Sequence, residues 1–211
     1  MADWEFMKKT VSLVCFVAVA FLGTHACAAE RVLLVVGDSL SAGYNMRLDQ
    51  AWPSLLQNRL QGNGHSYRVV NASITGDTTQ GGLARLPRLL QRHQPDMVII
   101  ELGGNDGLRG LSLEVTRRNL SGMIEASQAM GAGVILAGIM LPPNYGVAYT
   151  DRFQSMYPEL SDTYGLPLIP FLLEGVALNP ELMMADGIHP TAGAQPILLE
   201  NVWSVLVPEL D

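Results

Sequence analysis

The chain reads as a single α/β domain, a doubly wound sandwich with a mainly parallel, five-stranded sheet flanked by helices. Three observations predict it. Apolar runs at residues 32–36, 97–102 and 134–140 are continuous, as strands buried on both faces are, and do not alternate with polar residues. Each run stops at turn-forming residues: Gly37-Asp38-Ser39, Gly103-Gly104-Asn105-Asp106 and Leu141-Pro142-Pro143-Asn144-Tyr145-Gly146. Between the runs lie stretches of helical period, so strand and helix alternate throughout. A length of 211 residues suits one sizeable core, and 48% hydrophobic with 16% charged residues is globular composition. The net charge of −7 and the absence of a basic stripe exclude nucleic acid as a partner.

The elements follow in order. Residues 32–36 form the first strand. Gly37 permits a sharp turn there, and Asp38 or Ser39 is a preferred helix N-cap. Trp52, Leu55, Leu56 and Leu60 lie at helical spacing in a helix over 51–60, closed by Gly62-Asn63-Gly64. Residues 67–71 are the second strand, and 72–82 are small and polar, a loop and a helix start. A helix over 83–93 is kinked or split by Pro87. The third strand is 97–102, and Ser112 N-caps a helix to about 130 with Glu114 in its first turn. The fourth strand, 134–140, precedes a rigid loop at 141–146 and a helix over 150–164 interrupted by Pro158. A fifth strand at 166–170, one helical turn at 180–184 and a last helix from 192 to 206 complete the domain.

The N-terminus reads as a targeting segment. Lys8-Lys9 form a basic region, residues 10–23 are mostly apolar, and Ala26-Cys27-Ala28 resembles a small-residue cleavage site. Residues 1–28 are therefore expected to be a cleaved signal peptide, starting at Met1 or Met7, and 29–211 the domain. The apolar run is short for a span of about 20 residues, which favours cleavage over a retained anchor. Export to the periplasm follows, with secretion as the alternative; a lipidated Cys27 would instead tether the chain. Cys15 and Cys27, the only cysteines, both precede the cut, so the mature chain has no disulfide, no thiol nucleophile and no Cys-ligated zinc.

Four loops carry chemistry. Ser39 stands where a strand ends and a helix begins, beside backbone N–H groups suited to a developing negative charge. Gly76, in Asn71-Ala72-Ser73-Ile74-Thr75-Gly76-Asp77-Thr78, can present its N–H without a side chain in the way. Asn105 offers an amide donor after paired glycines. In Asp186-Gly187-Ile188-His189-Pro190, a single turn can set the carboxylate against one imidazole nitrogen and leave the other to face a nucleophile. Each signal alone is weak: Asp38 and Ser39 could merely cap a helix, and Asp186 and His189 could be a solvated loop. Asp38, Asp77 and Asp106 are expected to be structural caps, and His65 and His93 to be solvent-exposed. No metal-ligand cluster stands out.

Together the four loops are far more specific. Gly-Asp-Ser-Leu-Ser-Ala-Gly-Tyr from Gly37, Gly76, Gly-Gly-Asn-Asp from Gly103 and Asp-Gly-Ile-His-Pro from Asp186 resemble, in order, the SGNH or GDSL hydrolases, over about residues 32–208. The resemblance implies a flavodoxin-like sandwich and a serine hydrolase that needs no cofactor and no metal. Ser39 would be the nucleophile, His189 the general base and Asp186 its orienter. The Ser39 N–H, the Gly76 N–H and the Asn105 amide would form the oxyanion hole. It also implies small acyl ester or acyl thioester substrates (aryl esters, acyl-CoA and lysophospholipids among them), transient contact with membrane lipid and a monomeric chain. Acyl-chain selection is expected from Leu141, Pro142 and Tyr145, faced by Leu108 and Leu111. Two other functions compete. A carbohydrate O-acetylesterase would keep the same triad, and a secreted binding module would have no use for a base beside a serine.

Overall fold

In the computed structural model, which describes residues 30–210, the strand Arg31–Gly37 (β1) lies between Tyr67–Asn71 (β2) and Met97–Glu101 (β3). Gly133–Ala137 (β4) and Leu168–Ile169 (β5) extend the sheet, giving the order β2-β1-β3-β4-β5. Every pairing is parallel, so the expected mainly parallel sheet is wholly parallel among the described residues. Strand order reverses where β1 meets β3, and in open α/β sheets the crevice beyond that point is where ligands bind. The register sets Gly37 opposite Glu101, so the two loops that leave this crevice start level with each other.

The helices are Ser39–Ala42 (α1), Trp52–Gly62 (α2), Thr79–His93 (α3), Gly104–Leu108 (α4), Leu113–Ala129 (α5), Val147–Tyr164 (α6) and Gln195–Leu206 (α7). Successive strand residues point to opposite faces. Leu33, Val35, Ile99 and Ile135 pack with Trp52, Leu56, Leu198 and Val202 of α2 and α7. Leu34, Val36, Val98 and Ile100 pack with Leu86, Leu120, Met123 and Phe153 of α3, α5 and α6. Continuous apolar strands were the expected signature of a sheet covered on both sides, and this is its cause.

Several boundaries differ from expectation, each for a local reason. Pro87 and Pro158 neither split nor end α3 and α6, which run through them. Both prolines are exposed, so the carbonyls they leave unbonded can be hydrated. β5 is only two residues long because Pro167 and Pro170, lacking N–H groups, bracket it. β4 ends at Ala137, and Gly138, whose N–H still donates to the Ile169 carbonyl (2.8 Å), passes so close to the chain leaving β5 that a Cβ there would lie 2.3 Å from the Pro170 carbonyl oxygen. The helical turn expected at 180–184 is cut short to a single bonded turn, Leu182 N–H donating to Asn179 O (3.0 Å). Met184 N–H donates to His189 O (2.7 Å) and Thr191 N–H to Leu182 O (2.8 Å), folding this stretch into a loop closed on itself. The expected signal peptide lies outside the described residues. Among those described, no helix is long and apolar enough to cross a membrane.

Candidate active site

Asp38 caps α1: its Oδ1 accepts from Leu40 N–H at 3.0 Å, which leaves Ser39 as the first helical residue. The Ser39 N–H is therefore one of the donors that a helix start leaves without an intrahelical partner. The Ser39 side chain reaches out of the turn to His189, with Oγ 2.9 Å from Nε2.

His189 is held by its own loop. Asp186 Oδ1 accepts from Ile188 N–H (2.9 Å) and His189 N–H (3.0 Å), while Oδ2 lies 2.7 Å from His189 Nδ1. Gly187, at φ +67°, supplies the left-handed backbone this tight turn requires. Partial burial pushes the Asp186 carboxyl up. The bonds from the His189 N–H, the imidazole and the Ile188 N–H outweigh it and hold the carboxyl at about 2. An ionised carboxylate only accepts, so Nδ1 carries the ring proton and Nε2 is left to accept from the Ser39 hydroxyl. The Tyr44 ring lies over the imidazole, centroids 4.2 Å apart at 33°, and covers one of its faces.

Asn105 sits one residue into α4. Its Nδ2 donates to Asp38 Oδ2 at 2.9 Å, which fixes the amide and leaves its second N–H unused by this bond. Gly103 brings the chain there at φ +120°, so close to Tyr157 that a Cβ would fall 2.4 Å from the phenol oxygen. Gly76, at φ +77°, is held by Arg109, whose Nη2 donates to the Gly76 carbonyl at 2.9 Å; its N–H has no acceptor among the described residues. The structure thus brings Ser39, His189, Asp186 and Asn105 together, while Gly76 stands in the neighbouring loop, outside the cavity lining. Arg85 ties that loop to the end of β1: it pairs with Asp77 at 2.8 Å, donates to the Ala72 carbonyl and reaches the Gly37 carbonyl at 3.4 Å.

Beside Ser39 opens a cavity of about 820 Å³. Leu108, Leu141 and Pro142 line it, as expected. Leu111 and Tyr145 do not. The Tyr145 hydroxyl donates instead to the Leu108 carbonyl (3.0 Å), and Leu111 points to solvent with its carbonyl accepting from the Tyr149 hydroxyl (3.1 Å). Tyr145 thereby holds a lining residue, Leu108, from outside the cavity. The opposite wall, Phe171 and Leu173 to Leu178, escaped the sequence reading, as did Ile139 and Met140, which were expected to lie in a strand. Two apolar triplets, Phe171-Leu172-Leu173 and Val176-Ala177-Leu178, were the available signal, but without a helix or strand period nothing showed where they faced.

The three acids expected to be caps have wider duties. Burial pushes Asp38 up to about 6, against the pull of Leu40 N–H, the Asn105 amide and His189. Asp77 pairs with Arg85, and Asp106 accepts from the first residue of α3, a helix other than its own. Glu101, fully buried at the end of β3, was missed altogether. His65 and His93 are half-buried rather than exposed, His65 lying edge-on to Trp203.

The model of the GDSL-like lipase/acylhydrolase family matches residues 35–195. The chain is 53% identical to the esterase TesA of Pseudomonas aeruginosa, over 87% of this chain and 91% of that protein. It is 49% identical to an arylesterase of Vibrio mimicus, over 97% and 100% respectively. With the thioesterase 1/protease 1/lysophospholipase L1 of Escherichia coli K12 it shares 47% identity over 88% of each chain. A crystal structure of TesA, 53% identical, superposes with a TM-score of 0.83 over 84% of this chain and 99% of that one.

Proposed function

The chain belongs to the GDSL-like lipase/acylhydrolase family, and we propose that it is a serine esterase and thioesterase cleaving acyl esters and acyl thioesters, lysophospholipids, aryl esters and acyl-CoA included. One observation carries the reading: Ser39 Oγ, His189 Nε2 and Asp186 Oδ2 form a continuous hydrogen-bonded line at the mouth of an apolar cavity.

His189 Nε2 takes the Ser39 proton as Oγ attacks the acyl carbonyl, since a hydroxyl is a weak nucleophile without a neighbouring base. Asp186 holds the tautomer and stabilises the imidazolium. The carbonyl oxygen becomes an oxyanion among the Ser39 N–H, the Gly76 N–H and the Asn105 amide. His189 then protonates the departing alcohol or thiol, leaving Ser39 acylated. Water attacks the acyl group in a second pass, and His189 serves again as base and acid. The acyl chain lies in the cavity, each buried methylene contributing about 0.8 kcal/mol. A space of about 820 Å³ exceeds what an acetyl group needs, which favours longer acyl chains over deacetylation of carbohydrate.

A serine-directed phosphonate should label wild type at Ser39 and leave Ser39→Ala unmodified, with burst release of nitrophenol from an aryl ester lost in the same variant. Turnover by Ser39→Ala at the wild-type rate would refute the mechanism. A panel of aryl esters, acyl-CoA thioesters and lysophospholipids orders the substrates.

Residues 1–28 act in this reading as a cleaved signal peptide, which directs the mature domain, 29–211, to the periplasm as a monomer in transient contact with lipid. Intact mass of periplasmic material should give an N-terminus near Ala29; a lipid-modified Cys27 would overturn it.

A further inference from the structure

We propose that Glu101 is a positioning residue for this acyl transfer: buried under the turn that carries Ser39, it holds the Asp38 backbone on one side of the nucleophile and the Ser41 side chain on the other and, through Asp38, the Asn105 amide. Its Oε2 accepts from Asp38 N–H at 3.2 Å and from the Ser41 hydroxyl at 2.7 Å. Residues 38 and 41 flank the nucleophile, so Ser39 is slung between two anchors on one oxygen. Asp38 passes the constraint on, since its carboxylate binds Leu40 N–H and the Asn105 amide. Gly37 is shaped to this contact: a Cβ there would lie 2.6 Å from Glu101 Oε2.

The placement is costly as packing. Glu101 has no exposed surface, and its second oxygen, Oε1, has no hydrogen-bond partner among the described residues. An unpaired buried polar atom is destabilising. The strand around it, Met97-Val98-Ile99-Ile100, is otherwise apolar, so the carboxyl is the exception in its own element. Burial, helped by the neighbouring Asp38 charge, pushes Glu101 well above the usual carboxylate range.

The proposal rests on the hydrolase reading above. The test compares the purified enzyme with Glu101→Leu, Glu101→Gln and Ser41→Ala on a nitrophenyl butyrate ester. Phosphonate titration counts reactive sites, and thermal melting reports the fold. Glu101→Leu keeps the volume and removes both acceptor contacts. It strands the buried Asp38 N–H and Ser41 hydroxyl, so it should melt below the wild-type temperature, and its folded fraction should lose about 10–100-fold in kcat with KM little changed, the size of effect that a misplaced reacting group produces. Glu101→Gln retains a neutral acceptor oxygen and should recover most of kcat. If the leucine variant does not fold, Ser41→Ala decides, with kcat several-fold lower at unchanged KM. A folded leucine variant with wild-type kcat would overturn the proposal, as would Ser41→Ala with wild-type kcat where leucine does not fold, or a glutamine variant as slow as leucine. A wild type that neither turns over the ester nor takes the label would refute the hydrolase reading itself, before any variant is compared.

Discussion

Asn105 is where two demands on one side chain meet. One amide proton is committed to Asp38 Oδ2 at 2.9 Å, which in the proposed mechanism leaves the other to meet the acyl oxygen of a substrate beside Ser39. A donor fixed before the reaction needs no reorganisation when the oxyanion forms, and its bond strengthens mainly in the transition state. Asn105→Ala should therefore lower kcat by about 10²–10³ with a much smaller change in KM. Steady-state kinetics on a soluble aryl ester measures the split; a change confined to KM would make Asn105 a binding residue. At this scale the sequence was most legible. Ser39, Asn105, Asp186 and His189 each stood in a short motif of turn-forming residues whose chemistry is local. Glu101 was not legible, because a lone acid closing an apolar run says nothing about what it faces. Its partners, Asp38 and Ser41, lie about 60 residues away across a strand pairing.

The elements around the site are joined by buried polar side chains rather than by their own caps. Asp106 of α4 accepts from Thr79 N–H (2.9 Å) and Thr79 Oγ1 (2.5 Å) at the start of α3, and from Thr116 Oγ1 of α5 (3.4 Å). Asn119 of α5 donates to the same Thr79 hydroxyl at 3.0 Å. Thr79 is fully buried, so removing this acceptor strands its N–H and hydroxyl away from water, while Thr116 keeps the Ser112 carbonyl at 3.2 Å. Asp106→Ala should destabilise the fold by about 2–3 kcal/mol, the range for a buried bond to a charged group. Denaturant unfolding measures the loss, and phosphonate titration of the folded fraction should still find a reactive Ser39. An unchanged unfolding midpoint would remove Asp106 from this role. Strands and long helices were readable because period and punctuation agreed. The reading failed where tertiary packing overrode punctuation, as at Pro87 and Pro158, and where aperiodic chain formed structure, as in the cavity wall at 171–178.

Across the whole molecule, the catalytic apparatus and the stability of the fold pull against each other with pH. The Asp186 carboxyl, held at about 2, favours the folded state at every pH above its ordinary value near 3.8, and that contribution is lost as pH falls from there through 2. Asp38 has the opposite sign. Pushed up to about 6, it binds its proton more tightly folded than unfolded, so its contribution is full below 3.8 and is lost as pH rises through 6. For the buried Asp38 a displacement of about two pH units corresponds to an order of 3 kcal/mol, while solvent screening makes the exposed Asp186 worth well under that. Glu101, raised for the same reason, adds loss in the same direction at higher pH. The ionised Asp38 is nonetheless the form that best holds the Asn105 amide, since a charged acceptor makes the stronger bond. The protein is thus less stable in the pH range where its proposed oxyanion donor is best fixed. Melting temperature measured at about 0.15 M salt, where the general repulsion from a net charge of −7 is screened, should rise from pH 2 to 4 and fall from about pH 5 to 7. Asp186→Asn should flatten the acid limb alone, and Asp38→Asn the neutral limb alone. A wild-type melting temperature that stays level from pH 4 to 8 would show that burial of Asp38 carries no such penalty, and would leave the Asn105 amide held by an acceptor that ionises in the ordinary range.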